Sequence, residues 1–342
     1  MDSNLSFDRL RQVSSAFQES CILAAAAELD VFTVILEHKN RISARELADI
    51  QKTDLRGTTV LLDALAATEY LLKEKNASDS EAVYSVAETF QKWLDSRNPE
   101  TFVPMIRHMI CVQRSWTELA RTVKKGTPVK TPSSILGAKQ DRTSFIWAMN
   151  SIAQTLAEPT AASLQKAGLL TFKNFIDIGG ASGTYTLAFL KALPNAKGTL
   201  FDLPVGIEAA RKRFVGSEFE SRVRLVEGDF YRDELPTGFD FAWVSAIIHQ
   251  FDRDGSRELY KKTFRSLHSG GNVAVRDFMM NADRTKPKDG AFFGVSMLVE
   301  TKTGMVYTFD EVKSDLESVG FTNVKLAVPA ETMSAIVVAK KP

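Results

Sequence analysis

The residues with the most chemical content lie in the second half of the chain, where short apolar runs end in acidic side chains or a histidine. In FIDIGGASGTYTLAFL, Phe175 to Leu190, an apolar run passes through Asp177 into Gly179, Gly180, Ala181, Ser182 and Gly183, and an amphipathic run follows. A cluster of small residues lets backbone approach a ligand closely. The spacing is not G-x-G-x-x-G and no Gly-Lys-Ser/Thr follows, so neither a dinucleotide loop nor a P-loop is expected. With no cation inside the loop, Asp177 favours a positively charged group or an amine beside it. Asp202, closing the strand in GTLFDLP, is placed to accept both hydroxyls of a ribose. Asp229 in VEGDF can accept from an exocyclic amine, and Phe230 offers a flat apolar face to a base. An amino acid joined to a nucleoside without phosphates meets all three requirements, and S-adenosylmethionine is such a molecule.

These residues need a sheet whose strands end on one side. From Asn174 onward short apolar runs alternate with helical ones: FIDIG, GTLFDLP, VRLVEGDF, FDFAWVSAII and GNVAVRDFM, with helices expected at 185–192, 206–214, 257–267 and 309–319. That alternation predicts a parallel sheet wrapped by helices, an α/β Rossmann-like fold. The final runs, FTNVKLAVPA and TMSAIVVAKK, are too close together for a crossover helix, so they form a hairpin and the last strand is antiparallel.

Up to about residue 165 the pattern is mainly helical. Ser20 to Leu36 is apolar nearly all round and reads as one buried helix. Ser43 with Glu46 makes a capping box, Leu55 to Ala67 a third helix, and LLKEKNASDSEAVYSVAE a strand, a polar turn and a strand. Three helices and a two-stranded wing make a winged-helix unit over 1–120, followed by a linker and bridging helix over 121–165 and a catalytic domain over 166–342. As a DNA reader the unit is poorly equipped, because Arg56 is the single cation of the recognition segment and Asp54 and Asp63 flank it. Burial of its apolar helices against a second copy is the better reading, so a homodimer is expected.

Composition narrows the classes of partner. The chain has 342 residues, with 43 Lys plus Arg against 42 Asp plus Glu, so its charge of +1 provides no overall field for nucleic acid or an anionic membrane. Cys21 and Cys111 are far apart and without Cys-x-x-Cys spacing, which indicates neither a metal site nor a disulfide framework. No run of about 18 apolar residues occurs, and a soluble cytoplasmic protein is expected.

Across its whole length the chain resembles the class I methyltransferases of the plant caffeate and acetylserotonin O-methyltransferase type and their bacterial relatives. Their loop reads D-x-G-G-G-x-G. Asp177, Gly179, Gly180 and Gly183 match it, and Ala181 replaces the third glycine. The resemblance implies ribose binding by Asp202 and adenine contacts by Asp229 and Phe230. Ser245 stands in the cofactor pocket where plant enzymes have a lysine near the adenine. The family's histidine, in an H-D-W motif, corresponds to His249 in VSAIIHQFDRD, and histidine is a side chain able to take a proton from a phenol near neutral pH. Of the two glutamates that flank it, Asp277 matches the first and would hold the imidazole in one tautomer. The second position falls near Val306, and Glu300 and Asp310 do not sit in register with it. Arg276, preceding Asp277, should point to the opposite face of the sheet and make a structural salt bridge, or meet a substrate carboxylate if the strand has already ended. Candidate acceptor contacts are Trp147 and Met149 on the bridging helix and Phe292, Phe293, Ser296 and Met297 in FFGVSMLVE; Ile146 replaces the asparagine of the family's F-N-x-A-M motif. The expected reaction is methyl transfer to the hydroxyl oxygen of a small aromatic acceptor. Methylation at carbon or nitrogen, a cofactor-assisted decarboxylation or hydroxylation, and a winged-helix regulator are the alternatives.

Overall fold

The computed structural model describes residues 7–75 and 81–342. By compactness the chain forms two units, one of residues up to Gln113 with Pro132–Ser151, the other of Arg114–Thr131 with Ile152–Pro342. Helix α1 (Gly137–Lys166) has residues in both and starts earlier than its apolar pattern suggests.

In the first unit the helix expected from Ser20 to Leu36 is two helices, Phe17–Glu28 and Val31–Glu37. Asp30 breaks it by taking the left-handed conformation, φ 55°, which aspartate tolerates better than most residues. Its carboxylate then accepts from the hydroxyls of Thr33 (2.8 Å) and Ser96 (3.2 Å) and from Arg107 (3.3 Å). The capping box is present: Glu46 N donates to Ser43 Oγ and Ser43 N to Glu46 Oε2. Leu55–Ala67 is a helix, capped by Asp54 accepting from Gly57 N. Strands Leu71–Lys75 and Ala82–Val86 pair antiparallel, and the polar turn between them lies outside the described residues. A third strand, Ile42–Ser43, adds to Ala82–Val86 and is too short to show a pattern in sequence. Asp63 is held by Lys73 and Tyr84, each at 2.6 Å.

The second unit carries strands β1 (Asn174–Ile178), β2 (Lys197–Asp202), β3 (Val223–Glu227), β4 (Phe239–Ser245), β5 (Leu267–Asp277), β6 (Thr322–Val328) and β7 (Ala335–Lys340). Their order is β6-β7-β5-β4-β1-β2-β3. Pairing is parallel from β3 across to β5, while β7 is antiparallel to both its neighbours. The mixed sheet and terminal hairpin are therefore as the sequence predicts. Helices α2 (Thr184–Ala192), α3 (Pro204–Phe214), α4 (Arg253–Ser266), α5 (Lys288–Glu300) and α6 (Phe309–Ser318) accompany the strands. Central strands are buried on both faces: Ile176, Ile178 and Val244 pack on one side, Phe175, Phe241 and Trp243 on the other. Such burial explains their near-continuous apolar runs. On the first side Asp315 of α6, buried, takes Arg253 and Arg257 of α4 and ties the two helices together. Among the described residues no helix is long and apolar enough to cross a membrane.

Candidate active site

The chain runs β1 to β3 toward one edge and β4 to β6 toward the other, with β7 returning between β6 and β5, so strand order reverses between β1 and β4. A crevice at the C-terminal ends of such a pair is where ligands enter open α/β sheets. Both loops bordering it are narrow by construction. Gly179 has φ 69°, and a Cβ there would lie 2.4 Å from Ile247 Cδ1 in the loop after β4 and 3.4 Å from the Phe230 ring. At Gly180 a Cβ would come within 2.8 Å of the Asp177 carboxyl, and at Gly183, φ 78°, within 2.5 Å of Phe214. The glycines are thus required by packing, beyond any ligand.

Ala181, the replacement for the third loop glycine, also lies in the left-handed region at φ 49°. Its N–H donates to Asp202 Oδ2 at 2.7 Å, and Leu203 N donates to Oδ1 at 2.6 Å. Burial raises the Asp202 pKa, partly offset by those two bonds. Each of its oxygens still has a lone pair for a ligand hydroxyl. Asp229 Oδ1 accepts from Tyr231 N, and Lys262 Nζ donates to the Phe230 carbonyl at 2.9 Å, which fixes this strand end. The Phe230 ring stands 5.1 Å from Tyr231 and 6.0 Å from Phe251. Tyr231 Oη donates to Gln250 Oε1, joining the loop after β3 to the turn that carries His249.

Two of the expected cofactor contacts are placed differently from the sequence reading. Asp177 is 2% exposed and accepts from Thr186 Oγ1 of α2 at 2.7 Å. Burial pushes its carboxyl up to about 7. It stands behind the loop and fixes it to the helix instead of facing a ligand amine, because strand alternation turns it under α2. Ser245 Oγ accepts from Arg276 Nη1 at 3.1 Å, so its hydroxyl is engaged by the neighbouring strand.

His249 lies in a 3-10 turn, Ile248–Gln250, directly beyond β4, and is 7% exposed. Its Nδ1 is 3.0 and 2.9 Å from the two oxygens of Asp277 at the end of β5. Asp277, 2% exposed, also accepts from Phe278 N through Oδ1. A carboxylate on Nδ1 leaves that nitrogen as donor and Nε2 as the free base. Among the described residues Nε2 has no protein hydrogen-bond partner. The Phe293 ring packs edge-on to the imidazole, centroids 4.7 Å apart.

At the family's second carboxylate position Val306 is buried, and Asp310 is exposed in the first turn of α6. Glu300, which counting along the chain sets aside, is brought near by the fold. The following segment returns to His249, whose carbonyl accepts from Met305 N at 3.0 Å. Although Glu300 is open to solvent overall, partial enclosure of its carboxyl raises its pKa, and the His249 imidazole draws it the other way. No count from the histidine could find it, since the link is this loop's return.

The acceptor candidates are only partly assembled. Phe293 touches His249, Met297 is buried on α5, and Ser296 Oγ accepts from Trp116 Nε1 at 3.1 Å. Phe292 is 53% exposed and lies 6.4 Å from Trp116, a residue the sequence reading missed. Trp147 and Met149 belong to the part of α1 grouped with the first unit. A cavity of about 240 Å³ lined by Asn174, Lys197 and Arg222 lies at the opposite, N-terminal edge of the sheet and includes none of these residues.

Residues 116–322 match the model of the O-methyltransferase domain, and residues 12–96 that of the O-methyltransferase dimerisation domain. Acetylserotonin O-methyltransferase of Gallus gallus is 26% identical over 336 residues, covering 95% of each chain. The tetracenomycin polyketide synthesis 8-O-methyl transferase of Streptomyces glaucescens is 28% identical, over 92% of this chain and 91% of its own. The fold matches that of human N-acetylserotonin methyltransferase, solved in complex with SAM, with a TM-score of 0.80 at 24% identity over 100% of this chain and 99% of that one. With more than half its length covered by the family model, the chain belongs to the O-methyltransferase family.

Proposed function

We propose that this protein transfers a methyl group from S-adenosylmethionine to the hydroxyl oxygen of a small aromatic acceptor, with His249 as general base, Asp277 as its positioning partner, and a homodimer formed through the N-terminal unit. The buried His249–Asp277 pair at the strand ends carries the reading. The donor's fit rests on the residues around the crevice: carboxylate lone pairs free at Asp202, an apolar ring at Phe230, and no cation in the glycine loop to attract phosphate. When bound, the donor supplies an electrophilic methyl on a sulfonium.

The protein's own contributions are alignment and one proton. Nε2 of His249 takes the acceptor hydroxyl proton, and Asp277 stabilises the imidazolium that results. Phe293 and Met297 make the adjacent wall apolar, which excludes water and favours a flat ring. The aromatic class of acceptor follows the relatives, which include a 3-hydroxy-5-methyl-1-naphthoate 3-O-methyltransferase.

Substituting His249 by Ala should leave the affinity for S-adenosylhomocysteine nearly unchanged in calorimetry and lower turnover by about a hundredfold or more. The assay screens phenols, catechols and aromatic acids with labelled donor and identifies the methylated atom. Unaltered turnover in the variant would remove His249 from the proton's path, and label on carbon or nitrogen would change the reaction class.

A further inference from the structure

Arg276 precedes Asp277 on β5 and points to the other face of the sheet, where the sequence reading expects a salt bridge. None is present: among the described residues no carboxylate lies within ion-pair distance of its guanidinium. The side chain is nonetheless 3% exposed. Nη1 donates to Ser245 Oγ at 3.1 Å, and the guanidinium carbon is 5.4 Å from the centre of the Tyr185 ring. Nε is buried without a partner. Nη2 has no protein partner either, and it is not sealed from solvent. Nε and Nη2 form one edge of the guanidinium, the fork that binds a carboxylate through two parallel hydrogen bonds.

A second group beside it is also short of a partner. The Tyr185 hydroxyl is buried without a partner at regular hydrogen-bond geometry, and the Thr160 and Ser245 hydroxyls interact with it only loosely. The acids that might have served Arg276 are committed elsewhere, Asp277 to His249 and Asp177 to Thr186. A guanidinium stays charged under these conditions, and a buried charge without a counter-ion is strongly disfavoured until an anion completes it.

Position then suggests which anion. Ser245 pairs with Arg276 in register, and one residue earlier Val244 pairs with Ile178, so Ser245 is level with Gly179 at the mouth of the crevice. Tyr185 stands in the first turn of α2, two residues beyond Gly183. The cluster therefore borders the glycine loop on the face opposite His249. We infer that the free edge of Arg276, assisted by the Tyr185 hydroxyl, receives the carboxylate of the amino-acid end of the methyl donor. The inference rests on the S-adenosylmethionine reading above.

The test is calorimetric and needs no turnover. Wild type, Arg276→Met, Arg276→Lys and Tyr185→Phe are each titrated with S-adenosylhomocysteine and with its decarboxylated analogue, which keeps the amine and the nucleoside. Wild type should prefer S-adenosylhomocysteine. Arg276→Met should weaken that ligand by about tenfold to a hundredfold while leaving the analogue's affinity unchanged, with Arg276→Lys in between and a smaller selective loss in Tyr185→Phe. Equal loss for both ligands, or none for either, would overturn the inference and make Arg276 a packing residue. It would fail equally if Arg276→Met spared S-adenosylhomocysteine and raised KM only for carboxylated acceptors, since the anion would then be the acceptor's. Failure of wild type to bind either compound would instead reject the donor reading on which the inference stands.

Discussion

Replacing Asp277 by Asn tests the proton-transfer arrangement most sharply, because the surrounding hydrogen bonds decide which way the amide must face. Asp277 Oδ1 accepts from Phe278 N at 2.9 Å, and both oxygens lie within 3.0 Å of His249 Nδ1. In the variant the Phe278 N–H requires an acceptor, so the amide oxygen takes the Oδ1 place and the NH2 group faces the imidazole. With the NH2 in the Oδ2 place, 2.9 Å from Nδ1, the tautomer in which Nδ1 accepts is favoured, which puts the proton on Nε2 and turns the base off. Restoring the productive tautomer opposes two donors in a buried site and loses the carboxylate's stabilisation of the imidazolium. At about 1–3 kcal/mol for an unsatisfied buried donor, and more once charge develops, the loss is roughly 3–5 kcal/mol, or about 10²–10⁴ in kcat. Single-turnover methyl transfer at saturating donor measures it, with S-adenosylhomocysteine affinity as the control that should not move. The deficit should shrink as pH approaches the acceptor's own pKa, where a phenolate needs no base. Double replacement of His249 and Asp277 should cost little more than His249→Ala alone, since the two act as one unit. An Asn variant within about threefold of wild type at neutral pH would refute the reasoning, for His249 would then have its tautomer set elsewhere or take no proton.

Two further predictions concern the glycine loop. Asp177, with its carboxyl pushed up to about 7 by burial, binds a proton in the folded state that it releases near 4 when unfolded. Its contribution to stability is therefore fully present below about pH 4 and lost as pH rises through about 7, so Asp177→Asn, which keeps an acceptor for Thr186, should gain in Tm over wild type between about pH 5 and pH 8, by the equivalent of a few kcal/mol. Thermal scans showing a pH-independent difference would sever Asp177 from this linkage. Ala181→Gly relieves a left-handed alanine, worth about 1–2 kcal/mol, against about 0.5–1 kcal/mol of added chain entropy, so urea unfolding should show a small net gain. A loss of stability would mean that contacts of the Ala181 methyl outweigh the strain.

Much of this site was legible because its information is local. An apolar run that ends in an acid and then in small residues states both where a strand stops and what stands there, which is how Asp202, Asp229 and the loop glycines could be placed at the strand ends. The break at Asp30 was not legible, since it depends on Ser96 and Arg107, distant residues that the carboxylate gathers. Nor could Glu300 be found by counting, because its closeness to His249 is created by the backbone bond from Met305. Asp177 illustrates a third limit. Its type and place suggested an amine partner, yet which side of a strand end faces the crevice depends on how α2 packs, and here α2 covers it.

Arg276 and Asp277 show what period-two alternation accomplishes at one strand end. Adjacent side chains leave opposite faces of the sheet, so one residue can serve the imidazole while its neighbour serves a different group, less than 4 Å away along the backbone. If both had lain on one face they would have paired with each other, leaving His249 without its carboxylate and the crevice without its cation. Separation by the sheet keeps both charges available. The register that enforces it is fixed by β7, whose Ile336 and Ala335 pair with Arg276 and Asp277. The antiparallel terminal hairpin thus acts on the site through the backbone of β5, since a slip of one residue there would exchange the two side chains between faces.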